Sequence, residues 1–356
     1  MGKQARAWNA WLCVFIALYV LLGAARLLHN SDLQRLSPFI SVTILMGFAI
    51  VHGIRRYGWT HFVVFFLVAF VVSWSYETLS ILTGFPFGHY VYTDKLGPKL
   101  WLVPLLIMPA YFSMGYIAWT LGHVLLDRFD DRLTGAEVVL VPALASFVMV
   151  MWDLCIDPAS STISGAWIWR DGGGYFGVPL VNFLGWYLCV FTIYLLFALY
   201  LRRSAEWTRA AHLGERSTWA LPAVMYAAVM LPRLIEPLAG GDSVEVTSHD
   251  GHVWWTGDIH ATAALVALFT MLFVTVLALV RVSRTPALHW DDAGRVFSGG
   301  QPSRKLPAHA RHRRSWSAAA ASGRMSPHTV KCVIQEGYDS AVGGGSSITR
   351  RVERRS

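Results

Sequence analysis

The sequence predicts an all-α protein: a polytopic transmembrane helical bundle of about eight spans, or seven if one lies at the interface, with a disordered basic C-terminal tail. Three observations carry this. Of 356 residues, 54% are hydrophobic and 15% charged, against roughly 25% charged in soluble domains. Apolar runs of about 20 residues, the length that crosses a bilayer core, recur along most of the chain. Beyond Arg284 that pattern stops, and stretches such as HARHRRSWSAAAASGRMSP and VGGGSSITRRVERRS are polar, Gly/Ser-rich and basic. The expected organisation is a membrane domain over 1–284 and a tail over 285–356.

The spans fall in order at 8–28, 38–54, 60–82, 101–126, 136–156, 179–201, 218–235 and 259–280. The first follows Lys3 and Arg6, and Gly23-Ala24-Ala25 faintly resembles a signal cleavage site. Its apolar run is too long for a signal core and reads as a retained anchor. Lys and Arg favour alternate connections: Arg55 and Arg56, then Arg128 and Arg132, then Arg202, Arg203, Arg209 and Arg216. The intervening connections hold fewer. This positive-inside pattern predicts a multi-pass protein of the cell membrane with both termini cytoplasmic.

The net charge of +8 needs locating. Residues from Arg281 onward carry +9, so the rest of the chain is close to neutral at −1. The tail reads as a solvated appendage, and no nucleic-acid partner is expected. Four scattered cysteines, with no CxxC pair, imply neither a disulfide framework nor a zinc site.

Within the topology, five carboxylates from four helices share one leaflet: Glu77, Asp153, Asp157, Glu236 and Asp258. The other helix ends carry mostly arginine. Ionisable groups inside a membrane usually face a bundle interior and mark a working site. Glu77 and Asp153 lie deepest and read as functional. Asp157, before Pro158, suits a helix end and a working acid equally well, and Asp258 stands between the same two readings. Glu236 reads as an interface residue paired with Arg233. His89 and His260 read as satisfied polar residues, since no HxxxH or HExxH frame accompanies them.

Two outer connections flank these acids: TGFPFGHYVYTDKLGPKLWLVP (83–104) and SGAWIWRDGGGYFGVPLVNFLGW (164–186). Both are crowded with glycine, proline and aromatics. Non-helical backbone at membrane depth must be covered by protein, so such loops are expected to fold back and roof a cavity. Gly172, Gly173 and Gly174 sit in no phosphate-loop frame. Crowded carboxyls in an apolar pocket favour the neutral acid over the anion, and aromatic faces stabilise a cation. Together these suit protonation of an alkene or epoxide to a tertiary carbocation, quenched by water or an internal double bond. No nucleotide, flavin, haem or metal motif is visible, and the scheme uses no cofactor and no metal.

The blocks ETLSILTGFPFGHYVYTDKLGPKLWLVPL and MWDLCIDPASSTISGAWIWRDGGGYFGVPLVNFLGWYL resemble the integral-membrane carotenoid biosynthesis proteins, carotenoid 1,2-hydratases including the bisanhydrobacterioruberin hydratases. The resemblance covers roughly residues 10–280 and does not reach the tail. It implies cofactor-independent addition of water across the terminal double bond of an acyclic carotenoid, giving a tertiary alcohol. The implied partners are that carotenoid, water, membrane lipid and other enzymes of carotenoid synthesis. The catalytic candidates are Glu77, Asp153, Asp157 and Asp258. Asp153 or Glu77 would protonate the alkene, and the other, with Asp157 or Asp258, would orient and deprotonate water. Tyr76, Phe87, Tyr90, Trp152, Trp167, Trp169 and Trp186 would line the polyene end, and Asn182 would hold the water or an acid.

Three rival readings remain. A membrane terpene or carotenoid cyclase would use the same acid but return an isomer. Asp153 and Asp157, four apart, resemble half of a prenyltransferase magnesium site, yet no second Asp-rich motif accompanies them. A non-catalytic carotenoid-binding protein would leave its pigment's mass unchanged.

Overall fold

The computed structural model describes residues 3–26, 31–129, 133–204, 215–238, 242–285, 288–290 and 296–298. Each predicted span coincides with a helix or part of one. Helix α1 spans Lys3–Arg26, and α2 spans Ser31–Thr83. After a loop come α3 (Ile107–Leu125), α4 (Glu137–Pro158), α5 (Leu180–Arg203) and α6 (Arg216–Ile235). The last span is α7 (Thr256–Val266) joined through a π-helical turn, Ala267–Met271, to α8 (Leu272–Arg284). Of the predicted tail, only Thr285 and a short hairpin, Leu288–Trp290 with Val296–Ser298, are described. Its other residues lie outside the described ones.

The 53-residue α2 holds two of the predicted spans. A straight helix of that length would run about 80 Å, well over twice a ~30 Å hydrocarbon core. Gly58, at φ 69° and ψ 172°, breaks it into two segments. That backbone conformation is essentially reserved for glycine. Helix α4 begins where Glu137 reaches back to accept the Thr134 N–H (3.1 Å), half of a capping box. It does not stop at Pro158 but runs on through a π-helical turn, Ala159–Ile163. Pro158 cannot supply the N–H that Leu154 O would receive four residues back. The Tyr175 hydroxyl takes that place at 3.0 Å.

Among the described residues six helices are long and apolar enough to cross a membrane, with α2 counted once. Their outer faces stay apolar: Val63, Leu67 and Val71 on α2, Leu180 and Leu184 on α5, and Phe269 and Phe273 beside α8 are all exposed. An apolar stripe of this kind seeks lipid, and the chain is a membrane protein. Helix α3 differs. Every residue from Tyr111 to Val124 is buried, because α3 packs against α2, α4, α6 and α8 at the bundle centre.

Small strands cover one end of the bundle. Strand β1 (Tyr90–Tyr92) pairs antiparallel with β4 (Trp167–Trp169), matching Tyr90 to Trp169 and Tyr92 to Trp167. Between them in sequence lie the two-residue strands β2 (Lys99–Leu100) and β3 (Val103–Pro104). A further hairpin joins β5 (Glu245–Thr247) to β6 (Val253–Trp255). The β1–β4 pair ties together the two aromatic loops, which are distant in sequence.

Candidate functional site

Helices α1 to α7, with both halves of α2, deliver residues to one cavity of about 300 Å³ at the end that β1 and β4 cover. The segments alternate in direction, so site residues come alternately from helix ends and starts. Arg26 ends α1, and Ser37 and Ser41 begin α2. Glu77 lies near the end of α2, and Tyr111 near the start of α3. Asp153 and Asp157 end α4, Asn182 and Trp186 open α5, Arg233 ends α6 and His260 opens α7. Helix α3 thus contributes like the others, although it faces protein on all sides.

The β1–β4 pair sets the polar geometry. Residues two apart on a strand share a face, so Tyr90, Tyr92, Trp167 and Trp169 form one aromatic sheet surface. Tyr90 packs on Trp169 (ring centroids 4.9 Å) and Tyr92 on Trp167 (6.0 Å). The tyrosines of one strand serve one acid and the tryptophans of the other strand serve a second. Glu77 accepts hydrogen bonds from the hydroxyls of Tyr90, Tyr92 (2.9 Å) and Tyr111 (2.9 Å). Asp157 Oδ1 accepts the indole N–H groups of Trp167 (3.0 Å) and Trp169 (3.4 Å). Burial, reinforced by the negative charge of Glu77, pushes the Tyr90 and Tyr92 phenols well above their usual range, so they remain donors.

Asn182 joins one oxygen of each aspartate. Its Nδ2 donates to Asp157 Oδ2 at 2.5 Å and to Asp153 Oδ2 at 3.2 Å. Glu77, Asp153, Asp157 and Asn182 are each at most 3% exposed. Among the described residues the acids are unequally served. Glu77 and Asp157 each receive three hydrogen bonds, and Asp153 receives only the longer one from Asn182.

Aromatic rings wall this end. Trp186 stacks on Tyr111 (centroids 4.2 Å, interplanar angle 2°), with Phe87 and Trp152 at 6.3 and 6.1 Å from it. Phe87 approaches α5 closely because position 185 is glycine. A Cβ there would lie 2.7 Å from Phe87 Cδ1 and from Pro86 O.

Ten of the twelve sequence-selected residues line the cavity: Glu77, Asp153, Asp157, Phe87, Tyr90, Trp152, Trp167, Trp169, Asn182 and Trp186. Two do not. Asp258 is exposed, while Ile259 beside it is buried. His260, two positions on, lines the cavity instead, since two residues turn a helix by about 200°. Tyr76 turns toward α5 and hydrogen-bonds Thr192 Oγ1 at 3.1 Å.

The sequence reading missed Tyr92 and Tyr111 as partners of Glu77. For Tyr92 a signal existed, since it stands two residues from Tyr90 in a β-rich loop. At the far end of the cavity the expected Glu236–Arg233 pair forms (2.9 Å), while Arg26 (3.4 Å) and His260 (3.4 Å) join it unforeseen. Burial alone would raise the Glu236 carboxyl, but Arg233, His260 and Arg26 carry it down to about 2. No group of three or more His, Cys, Asp or Glu among the described residues has a metal-binding arrangement.

A family model described as carotenoid biosynthesis protein matches residues 38–247. The chain is also 31% identical over 194 residues to a bisanhydrobacterioruberin hydratase from Haloarcula japonica. That alignment covers 51% of this chain and 62% of the relative. No solved structure matches.

Proposed function

Because the chain belongs to the carotenoid biosynthesis protein family, we propose that it is a hydratase adding water across the terminal 1,2 double bond of an acyclic carotenoid. The reading rests on one observation: three carboxyls, unequally supplied with donors, share an aromatic-walled cavity within a membrane bundle. At about 300 Å³ the cavity is at the small end for ligand pockets, so it admits the end of a polyene and leaves the rest in lipid.

Donors stabilise an anion. Glu77 and Asp157, with three donors each, are the better served of the three and act as acceptors held in place. Asp153, with one long contact, carries the reacting proton. Its O–H protonates C2, the less substituted carbon of the terminal alkene. The π bond breaks, a C–H bond forms, and positive charge develops at the tertiary carbon. The carboxyl oxygens of Glu77 and Asp157 and the faces of Trp152, Trp167 and Trp186 stabilise that charge, as preorganised groups in a dry site do. Water attacks the cation, and its proton returns to the Asp153 carboxylate, so no proton is consumed overall. Asn182 is a positioning residue that spaces the two aspartates.

Arg6, Arg55, Arg56, Arg128, Arg202, Arg203 and Arg216 gather at the opposite end of the bundle. By the positive-inside rule that end is cytoplasmic, with both chain termini, and the cavity lies toward the outer face. The test is co-expression in a lycopene-producing bacterium, followed by pigment mass analysis. A gain of one water per reacted end is expected. An isomer of unchanged mass would assign a cyclase, and unaltered pigment would leave only a carotenoid-binding role.

A further inference from the structure

The cavity has two chemically different ends, and the proposed reaction uses only one. At the acid end Glu77 and Asp157 have their oxygens engaged by other side chains, and the acids are almost completely buried. Hydration nevertheless requires a water to reach the cation during its short lifetime. The other end is formed by α1, the start of α2, α6 and the start of α7, and it gathers Arg26, Gln34, Ser41, Arg233, Glu236 and His260 beside the apolar Pro38, Val42 and Leu45. Arg26 and His260 there keep 28% and 30% of their side chains exposed, whereas the acids are at most 3% exposed.

We propose that the end of the cavity formed by Arg26, Gln34, Ser41, Arg233, Glu236 and His260 is a water port that holds and delivers the nucleophile. This rests on the hydratase reading. A water in a buried cavity needs two to four polar partners; at the aromatic end Asp153 alone among the acids keeps spare acceptor capacity, whereas this end offers several donors and acceptors together. Each arginine carries five N–H donors, and Glu236 occupies only part of each set. Gln34 and Ser41 extend the polar lining along α2 and lie outside the ion-pair cluster. If these residues only stapled helices together, they would need one another and no shared cavity wall. The substrate's apolar end fills the aromatic pole, so the port separates the two reactants until the cation forms.

The port sets the fate of the cation. With water present, a C–O bond forms and Asp153 recovers a proton from that water. Without it, the cation returns a proton from an adjacent carbon to the Asp153 carboxylate and an alkene re-forms. In D2O the second route leaves deuterium in recovered substrate with no gain of water, because carboxyl exchange needs only occasional solvent access.

The experiment uses membranes bearing the full chain, in D2O, with bisanhydrobacterioruberin and with lycopene as probes. Wild type is compared with Gln34→Leu, Ser41→Val and the double variant. The expected result is that the ratio of hydrated product to deuterated substrate falls about tenfold in the double variant, the effect of ~1.4 kcal/mol on a partition. Ser41→Val alone should give a smaller shift in the same direction. An unchanged ratio in the double variant overturns the port. So does equal loss of hydration and exchange from protein that is monodisperse in detergent, because the residues would then act on protonation or folding. Failure of wild type to hydrate either probe would instead sink the hydratase reading itself.

Discussion

Replacing Asp153 and Asp157 by asparagine separates catalysis from stability, and the separation follows from counting donors. Asparagine at 153 can turn its carbonyl toward Asn182 and keep the single 3.2 Å hydrogen bond. It cannot donate an acidic proton. Asp153→Asn should therefore lose about 10²–10⁴-fold in hydration, the usual worth of a positioned general acid, with unchanged stability. At 157 both oxygens accept: Oδ1 from two indole N–H groups and Oδ2 from Asn182. Asparagine must point its NH2 at one of these donors, leaving buried donors facing each other. Leaving a buried donor unsatisfied costs about 1–3 kcal/mol. Asp157→Asn should thus lower the thermal midpoint in detergent by several degrees, at about 2–4 °C per kcal/mol, and also reduce activity. Pigment mass analysis reads the first effect and a thermal unfolding series the second. Full hydration by Asp153→Asn, or wild-type stability of Asp157→Asn, would refute the donor argument.

Three further outcomes are expected. Gly58→Ala has open space for its Cβ but a backbone conformation that alanine avoids, so it should destabilise the protein by about 1–3 kcal/mol, read as a lower thermal midpoint. Tyr175→Phe leaves Leu154 O without its donor and should be destabilising; in a Pro158→Ala background, which restores the N–H, the loss should shrink in a double-mutant cycle. Glu236 is depressed from 4.5 to about 2 on folding, so its contribution to stability is fully present above about pH 4.5 and fades as pH falls through 2. Across that window the thermal midpoint of wild type should fall more steeply than that of Glu236→Gln.

Hydropathy along the chain determined the membrane class and the placement of the helical segments, because burial in lipid demands long apolar runs whatever the neighbours are. Positive charge and the scarcity of mid-membrane acids then gathered Glu77, Asp153 and Asp157 at one depth. Depth is a one-dimensional property and can be read from order alone. Azimuth is not. Asp258 and Tyr76 lie at the right depth yet point away from the cavity, because packing against α5 and α6 sets how each helix is rotated. Nor does a three-residue strand carry enough pattern to announce its partner. The pairing of Tyr90–Tyr92 with Trp167–Trp169, which gives Glu77 its phenols and Asp157 its indoles, exists only once the bundle has brought two loops together. The sequence determined which acids stand at the same level of the membrane. Tertiary structure decided which donors each acid receives, and so left Asp153 the least supplied of the three.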